Sequence, residues 1–160
     1  MPLPQHRNRL ENLKLCAHKR PRRGACGRPC PRGIVVIRIL LAEDDQVMRE
    51  YLTRALEKSG YAVSAVDRGT AALPLIRTER FDLLLTDIVM PEMDGIELAQ
   101  KAAEIAPDMR VMFITGFAAV TLKAGKTMPQ ARVLSKPFHL RDLVLEVDRM
   151  FEIGSASGLS

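Results

Sequence analysis

The sequence has 160 residues with a formal charge of +5, and 47% of the residues are hydrophobic and 27% are charged. That length suits one ordinary domain with a single core, and that composition is typical of a soluble globular protein. Because no stretch approaches the roughly 18 consecutive apolar residues of a membrane span, and the N-terminus lacks the apolar segment of a secretion signal, we expect a cytoplasmic protein.

The positive charge is concentrated at the start of the chain, in a basic leader formed by residues 1–36. The leader contains nine Lys and Arg against one acid, Glu11, a net charge of +8, whereas the remainder carries 15 basic and 18 acidic residues. Its composition offers little apolar surface to offset the entropy of ordering it. We therefore expect the leader to be disordered, or to be upstream sequence read from a start codon set too early.

Two other interpretations of the leader stay open. Its charge could attract nucleic acid, although it contains no aromatic residue and no recognisable fold. Its thiols and imidazole could also bind zinc, but the spacing of these groups is irregular for a zinc site. The potential zinc ligands are Cys16, His18, Cys26 and Cys30, which include all three cysteines of the chain.

After the leader, short apolar runs alternate with segments of helical periodicity. The predicted strands are residues 37–42, 61–66, 81–87, 110–115 and 132–136, and the predicted helices are residues 46–60, 69–79, 95–106, 117–127 and 140–151. Pro74 should kink or shorten the second helix. The fourth helix should be marginal, since it contains several weak helix formers and Pro129 follows it. Five strands alternating with five helices predict an α/β fold, a doubly wound parallel sheet covered on both faces.

Polar side chains follow the strands of this predicted sheet at its carboxyl edge. Glu43, Asp44 and Asp45 follow the first strand, Asp87 ends the third, Thr115 ends the fourth and Lys136 ends the fifth. In parallel sheets these ends converge, and ligands bind there at the point where the strand order reverses. Each residue also has an ordinary structural interpretation, as a helix cap, a strand residue or a solvated charge. Their common position at one edge favours a shared site.

Oxygen ligands with room for water suit Mg²⁺ better than zinc. A hydroxyl and an ammonium facing a metal-bound carboxylate suggest that a further anion sits between them. Phosphoryl oxygens meet that requirement, with Mg²⁺ on one oxygen, Thr115 on another and Lys136 on a third. We therefore interpret Asp87 as a nucleophile that accepts a phosphoryl group.

At these residues the sequence resembles the response-regulator receiver family, which has a flavodoxin-like or CheY-like fold of strand order 2-1-3-4-5. The segments "LLAEDD", "LLLTDIVMPEMDGIEL", "FITG" and "SKPF" carry the resemblance in the family's order and spacing. The resemblance implies that Asp87 is the phosphoacceptor and that Lys136 contacts the phosphate. It further implies that Thr115 is the switch hydroxyl. The implied Mg²⁺ ligands are Glu43, Asp44, Asp87 and the backbone carbonyl of Val89.

The sequence departs from the family pattern at two positions. Val133 stands where many members have an aromatic residue three positions before the lysine, so only the hydroxyl half of the switch is present. Glu43 replaces the more common aspartate and should reach the metal with its longer arm. The resemblance also implies a cis peptide between Lys136 and Pro137. The implied switch surface comprises Phe117, Val133, Pro137 and Phe138.

After Ile153 the sequence contains only "GSASGLS". We therefore expect a stand-alone receiver at residues 37–153 with a flexible tail at 154–160 and no DNA-binding domain. The resemblance implies a regulator without a separate substrate, phosphorylated by a histidine kinase or histidine phosphotransferase and able to promote its own dephosphorylation. "ILLAEDD", "VMFITGFAAV" and "VLSKPFHLRDLV" resemble single-domain cell-cycle regulators that serve the ClpXP protease as adaptors when unphosphorylated, through its ClpX-type AAA+ unfoldase. The alternative is a phosphorelay intermediate or phosphate sink without its own effector.

Overall fold

The computed structural model describes residues 35–151, apart from the side chains of Ala118, Val120, Thr121 and Leu122. The potential zinc ligands of the leader lie outside the described residues, and so does the tail predicted at 154–160. Among the helices that the structure describes, none combines the length and the apolar character needed to cross a membrane.

Five parallel strands form one sheet in the order β2-β1-β3-β4-β5. The strands are β1 Arg38–Ala42, β2 Ala62–Val66, β3 Leu83–Asp87, β4 Arg110–Thr115 and β5 Arg132–Ser135. The strand order reverses between β1 and β3, where Leu85 of β3 lies beside Leu41 of β1. On the other side of β3, Leu85 lies beside Met112 of β4. The predicted α/β fold and strand order are therefore confirmed, and the apolar run of β3 is buried at every position because it is the central strand.

Helices cover both faces of the sheet and divide the core into two layers. The helices are α1 Gln46–Lys58, α2 Gly69–Thr78, α3 Gly95–Ile105, α4 Ala118–Thr127 and α5 Leu140–Phe151. Because successive strand residues point to opposite faces, Ile39 and Leu41 of β1 pack with α1 and α5, whereas Leu40 packs with α2 and α3. We call these the α1/α5 core and the α2–α4 core.

Three local expectations need correction or refinement. Helix α2 continues through Pro74 and ends at Thr78, so the proline does not interrupt it. The apolar residues of α1 recur at the spacing of one helix face, which predicts that they pack together on the sheet; Leu52 and Leu56 are buried, but Val47 and Tyr51 are exposed. That face is wider than the strip that the sheet and α5 cover. Four of the strands differ from their predicted bounds by one or two residues, which is the normal uncertainty of an element's ends.

Candidate phosphoacceptor site

Three carboxylates meet at the carboxyl edge of the two central strands. Glu43 and Asp44 follow β1 and Asp87 ends β3, and one ligand oxygen from each lies within 4.8 Å of the others. β1 and β3 are hydrogen-bonded neighbours, so the sheet itself sets the spacing of these groups. Glu43 and Asp87 are buried whereas Asp44 is exposed, so the cluster opens to solvent on one side. Asp45, also expected here, instead caps α1, and its Oδ1 accepts the Met48 amide N–H at 2.8 Å.

Lys136 neutralises part of this negative charge. Its Nζ donates to Asp87 Oδ2 at 2.9 Å and to Glu43 Oε2 at 3.3 Å. Lys136 follows β5, which lies two strands away from β3, and its long side chain crosses the end of β4 to reach the carboxylates. The side chain is 25% exposed, so the pair is partly shielded from water and from salt.

The electrostatics of the site show a shortage of positive charge. Burial, together with the charge of Asp87, raises the pKa of Glu43 to about 7, although Lys136 and the Asp45 amide act in the opposite direction. Burial lowers the pKa of Lys136, but its hydrogen bond to Asp87 and the charges of both acids outweigh this effect and raise the pKa above the ordinary lysine value. One ammonium therefore does not fully compensate the acids, and the site favours a further cation.

Hydrogen bonds hold both the carboxylate and the backbone carbonyl of Asp87 in place. Its Oδ1 accepts the Val89 amide N–H at 3.1 Å, and the hydroxyl of Thr86 donates to the Asp87 carbonyl oxygen at 2.8 Å. The next amide, that of Ile88, donates to the Ile114 carbonyl oxygen of β4 at 3.1 Å. The carboxylate is thus held at the rim of a buried strand, which is the placement that a nucleophile on a rigid support requires.

Thr115 is 1% exposed, and its hydroxyl oxygen accepts the Phe117 amide N–H at 3.1 Å. Phe117 is the N-cap residue of α4, and its side chain is not hydrogen-bonded to the helix amides. The Thr115 hydroxyl therefore holds the backbone where α4 begins. A ligand that attracted this hydroxyl would change the start of the helix directly.

Gly95 belongs to the site, although our sequence interpretation gave it no role. A Cβ at this position would lie 2.1 Å from the Asp87 carbonyl oxygen and 2.9 Å from the Ile88 Cα, far inside contact distance. The Gly95 amide also donates to the Ile88 carbonyl oxygen at 2.8 Å. The loop after β3 thus folds back on the Asp87 backbone, and only glycine allows this approach. The signal in the sequence was the Asp-Gly pair shortly after the acidic strand end.

The residues of the expected switch surface occupy different surroundings. Phe117 is 59% exposed. Val133 is partly buried against the α2–α4 core, whereas Phe138 is partly buried against the α1/α5 core. The peptide between Lys136 and Pro137 is cis, as the resemblance implied. Val133 and Phe138 thus pack against opposite faces of the sheet.

The donor set suits a hard divalent cation. Glu43, Asp44 and Asp87 offer carboxylate oxygens within 4.8 Å of one another, which is the ligand chemistry of Mg²⁺ rather than of zinc. Val89, whose carbonyl was the fourth expected ligand, lies two residues after Asp87 and is 50% exposed. The residues present therefore fit the cofactor that the sequence predicted.

Comparison with known proteins decides the family. The model of the response regulator receiver domain matches residues 39–148, more than half of the sequence. The chain belongs to the response regulator receiver family. Members of this family are regulators in two-component systems, and their partners are histidine kinases or phosphotransfer proteins. The receiver domain described above contains every residue of the candidate site.

The receiver domain is similar to both single-domain and longer proteins. It is 62% identical over 114 residues to the response regulator receiver protein CpdR of Brucella abortus, and the match covers 71% of this chain and 95% of that protein. It is 34% identical over 109 residues to the response regulator MprA of Mycobacterium tuberculosis, covering 68% of this chain and 47% of MprA. The chain thus spans about half the length of that second relative.

Solved structures show the same fold. A CheY-like receiver domain protein from Methanospirillum hungatei superposes with a TM-score of 0.67 at 31% identity, covering 72% of this chain and 93% of that one. The receiver domain of the hybrid histidine kinase CckA gives a TM-score of 0.60 at 31% identity, covering 70% of this chain and 96% of that one. The receiver domain is therefore CheY-like in architecture as well as in sequence.

Proposed function

We propose that this protein is a response regulator that accepts a phosphoryl group on Asp87, with Mg²⁺ held by Glu43, Asp44, Asp87 and the carbonyl of Val89. The observation that carries the proposal is the contact of Lys136 Nζ with Asp87 Oδ2 at 2.9 Å inside a cluster of three carboxylates. The phosphoacceptor must be a carboxylate that is rigid, open at one side and close to positive charge, and Asp87 meets all three conditions.

The chemistry follows from the positions of these groups. An oxygen of Asp87 forms a bond to phosphorus while the phosphorus–nitrogen bond of a donor phosphohistidine breaks and the ring nitrogen leaves. Lys136 stabilises the negative charge on the transferred group, and Thr115 donates a hydrogen bond to it. Bound Mg²⁺ supplies additional positive charge for the phosphoryl oxygens. The donor is a histidine kinase or a histidine phosphotransferase, and we place the reaction in the cytoplasm.

A small acyl phosphate should phosphorylate the protein once, on Asp87, in the presence of Mg²⁺. Asp87→Ala should abolish incorporation, because it removes the carboxylate that Lys136 contacts most closely, at 2.9 Å against 3.3 Å for Glu43. Asp108→Ala is the matched control, since Asp108 is an exposed loop aspartate away from the cluster, and it should be phosphorylated like the wild type. Intact-mass and peptide mass spectrometry measure the result. Incorporation in EDTA, or on a different residue of the wild type, would falsify the assignment.

We propose further that the output is a change in protein contact, and that the unphosphorylated chain serves a ClpX-type AAA+ unfoldase as an adaptor. The hydrogen bond from the Phe117 amide to Thr115 supports a route from the phosphoacceptor to α4. Gly125 weakens that helix, and the helix lacks a side-chain cap, so a small change at its start can alter its surface. Linkage then requires that phosphorylation lowers the affinity for the partner, and that the bound partner disfavours the phosphorylated state to the same extent.

Thr115→Ala should uncouple α4 from phosphorylation while leaving Asp87 able to react. The wild type, activated with beryllofluoride and Mg²⁺, should bind the unfoldase more weakly than the unactivated protein, and the variant should show less than half of that change. Thr127→Ala is the control, because its hydroxyl donates only to the Lys123 carbonyl oxygen at the far end of α4. Partner affinity from calorimetry and hydrogen exchange of α4 amides test this. Tighter binding in the activated wild type would rule out the adaptor model.

A phosphorelay intermediate without its own effector is the second candidate function. Equal affinity of the unfoldase for both states, together with rapid phosphoryl return to a phosphotransferase, would establish it. In either case we assign the activity to residues 37–153. The leader (1–36) and tail (154–160) should be dispensable for phosphorylation.

A further inference from the structure

A cavity lies at the opposite edge of the sheet from Asp87. It has a volume of about 380 Å³ and lies among the end of α3, the end of α4, the start of β5 and the end of α5. Met128 and Met150 form part of its buried floor, while Arg110, Arg132 and Arg149 stand around it. This volume is within the range of small-molecule sites, about 300–1,000 Å³.

The three arginines give the cavity an excess of positive charge. Asp108 is the acid among the residues that line it, and Glu146 reaches it only through an ion pair with Arg149 Nη1 at 2.6 Å. Against these two carboxylates, the three guanidinium groups leave the opening with a net positive charge, which favours an anion. They are also the side chains best suited to bidentate contact with phosphate oxygens.

Arg110 is already held in place. Its guanidinium carbon lies 4.6 Å from the centre of the Phe151 ring, so stacking fixes the side chain before any ligand arrives. Arg132 is exposed at the first position of β5, where its side chain can turn toward the opening. The site thus combines Arg110, held by stacking, Arg149, paired with Glu146, and the exposed Arg132 above an apolar floor.

We propose that this cavity binds a purine nucleoside diphosphate. The arginines bind the phosphate groups, and the purine ring packs against the sulfur-containing side chains of Met128 and Met150. A simple inorganic anion would leave that apolar floor uncovered. The site is separate from the phosphoacceptor, because Arg110 and Thr115 lie at opposite ends of β4, roughly 17 Å apart at the rise of an extended strand.

Calorimetry of the unphosphorylated full-length chain with adenosine and guanosine diphosphate tests the proposal. EDTA is included so that Mg²⁺ cannot attract the nucleotide to the carboxylate cluster. We expect saturable binding of a diphosphate, with shifts of the Met128 and Met150 methyl resonances. Arg132→Ala and Arg149→Ala should each weaken binding about tenfold or more, the usual effect of losing a charged hydrogen bond. Arg77→Ala, a change on exposed α2, is the matched control and should bind like the wild type.

Each other outcome contradicts a part of the proposal. Absence of binding, or equal loss in Arg77→Ala, would overturn the site. Pyrophosphate binding as tightly as the nucleotides would overturn the ring contact, and adenosine binding as tightly would overturn the role of the arginines. Failure of Asp87 phosphorylation would not affect these measurements, because they use neither Mg²⁺ nor a phosphodonor.

Discussion

Gly95→Ala should destabilise the protein by more than about 3 kcal/mol, beyond the usual cost of one extra methyl group in a packed site. The added Cβ would meet the Asp87 carbonyl oxygen at 2.1 Å, and that oxygen belongs to the central strand of the sheet. Because neither backbone can yield without breaking neighbouring hydrogen bonds, either α3 must move or β3 must be distorted at its carboxyl end. Urea unfolding followed by circular dichroism measures the change.

Gly125→Ala is the matched control for this prediction. Gly125 lies inside α4, and a Cβ there meets nothing within 4 Å. Alanine should therefore stabilise the helix by about 0.5–1 kcal/mol through the lower entropy of the unfolded chain. If the two glycine variants unfolded at the same urea concentration, the close approach of Gly95 to the Asp87 backbone would not be a real constraint.

Lys136→Met should destabilise the protein by about 2 kcal/mol in EDTA, somewhat less than the loss of one partner from a fully buried pair, because the lysine side chain is 25% exposed. The change leaves Glu43 and Asp87 without the cation that both carboxylates now contact. Saturating Mg²⁺ should reduce the difference from the wild type, because a cation that binds only the folded state adds stability by mass action.

The control is Lys101→Met. Lys101 pairs with Glu97 at 2.7 Å on the exposed surface of α3, and such pairs contribute about 0.5 kcal/mol or less. The two variants remove the same charge and differ only in the surroundings of the lysine. Urea midpoints in EDTA and in Mg²⁺ separate them. A Lys136→Met protein as stable as Lys101→Met in EDTA would show that the carboxylates do not depend on the ammonium.

The parallel direction of the strands could be predicted from the sequence because their apolar runs are short, continuous and separated by helical periodicity, whereas their order was implied by the resemblance to the receiver family. The meeting of Glu43, Asp87 and Lys136 also follows from the pattern, since parallel strands bring their carboxyl ends to one edge. These inferences need only the period of the pattern and the direction of the chain. They do not depend on side-chain geometry.

Other features depend on distances that a linear pattern does not contain. The contact of Gly95 with Asp87 arises from the path of a loop, and several loop paths are compatible with the same residues. The exposure of Val47 and Tyr51 depends on how much of α1 is covered by its neighbours. Helix α2 contains Pro74 although proline has a low helix propensity, because tertiary packing outweighs the local propensity. Those tertiary contacts are not contained in the linear pattern.

The two layers of the core separate two structural routes that lead away from the candidate site. Thr115 leads into α4, which belongs to one layer, and Lys136 leads into α5, which belongs to the other. A binding protein that touches only one layer would therefore sense one of the two residues that we propose to contact the phosphoryl group. Substitutions on the surface of α4 can change which proteins bind there, while the proteins that bind α5 stay the same. The protein can in this way acquire new binding partners without any change in the residues of the candidate site.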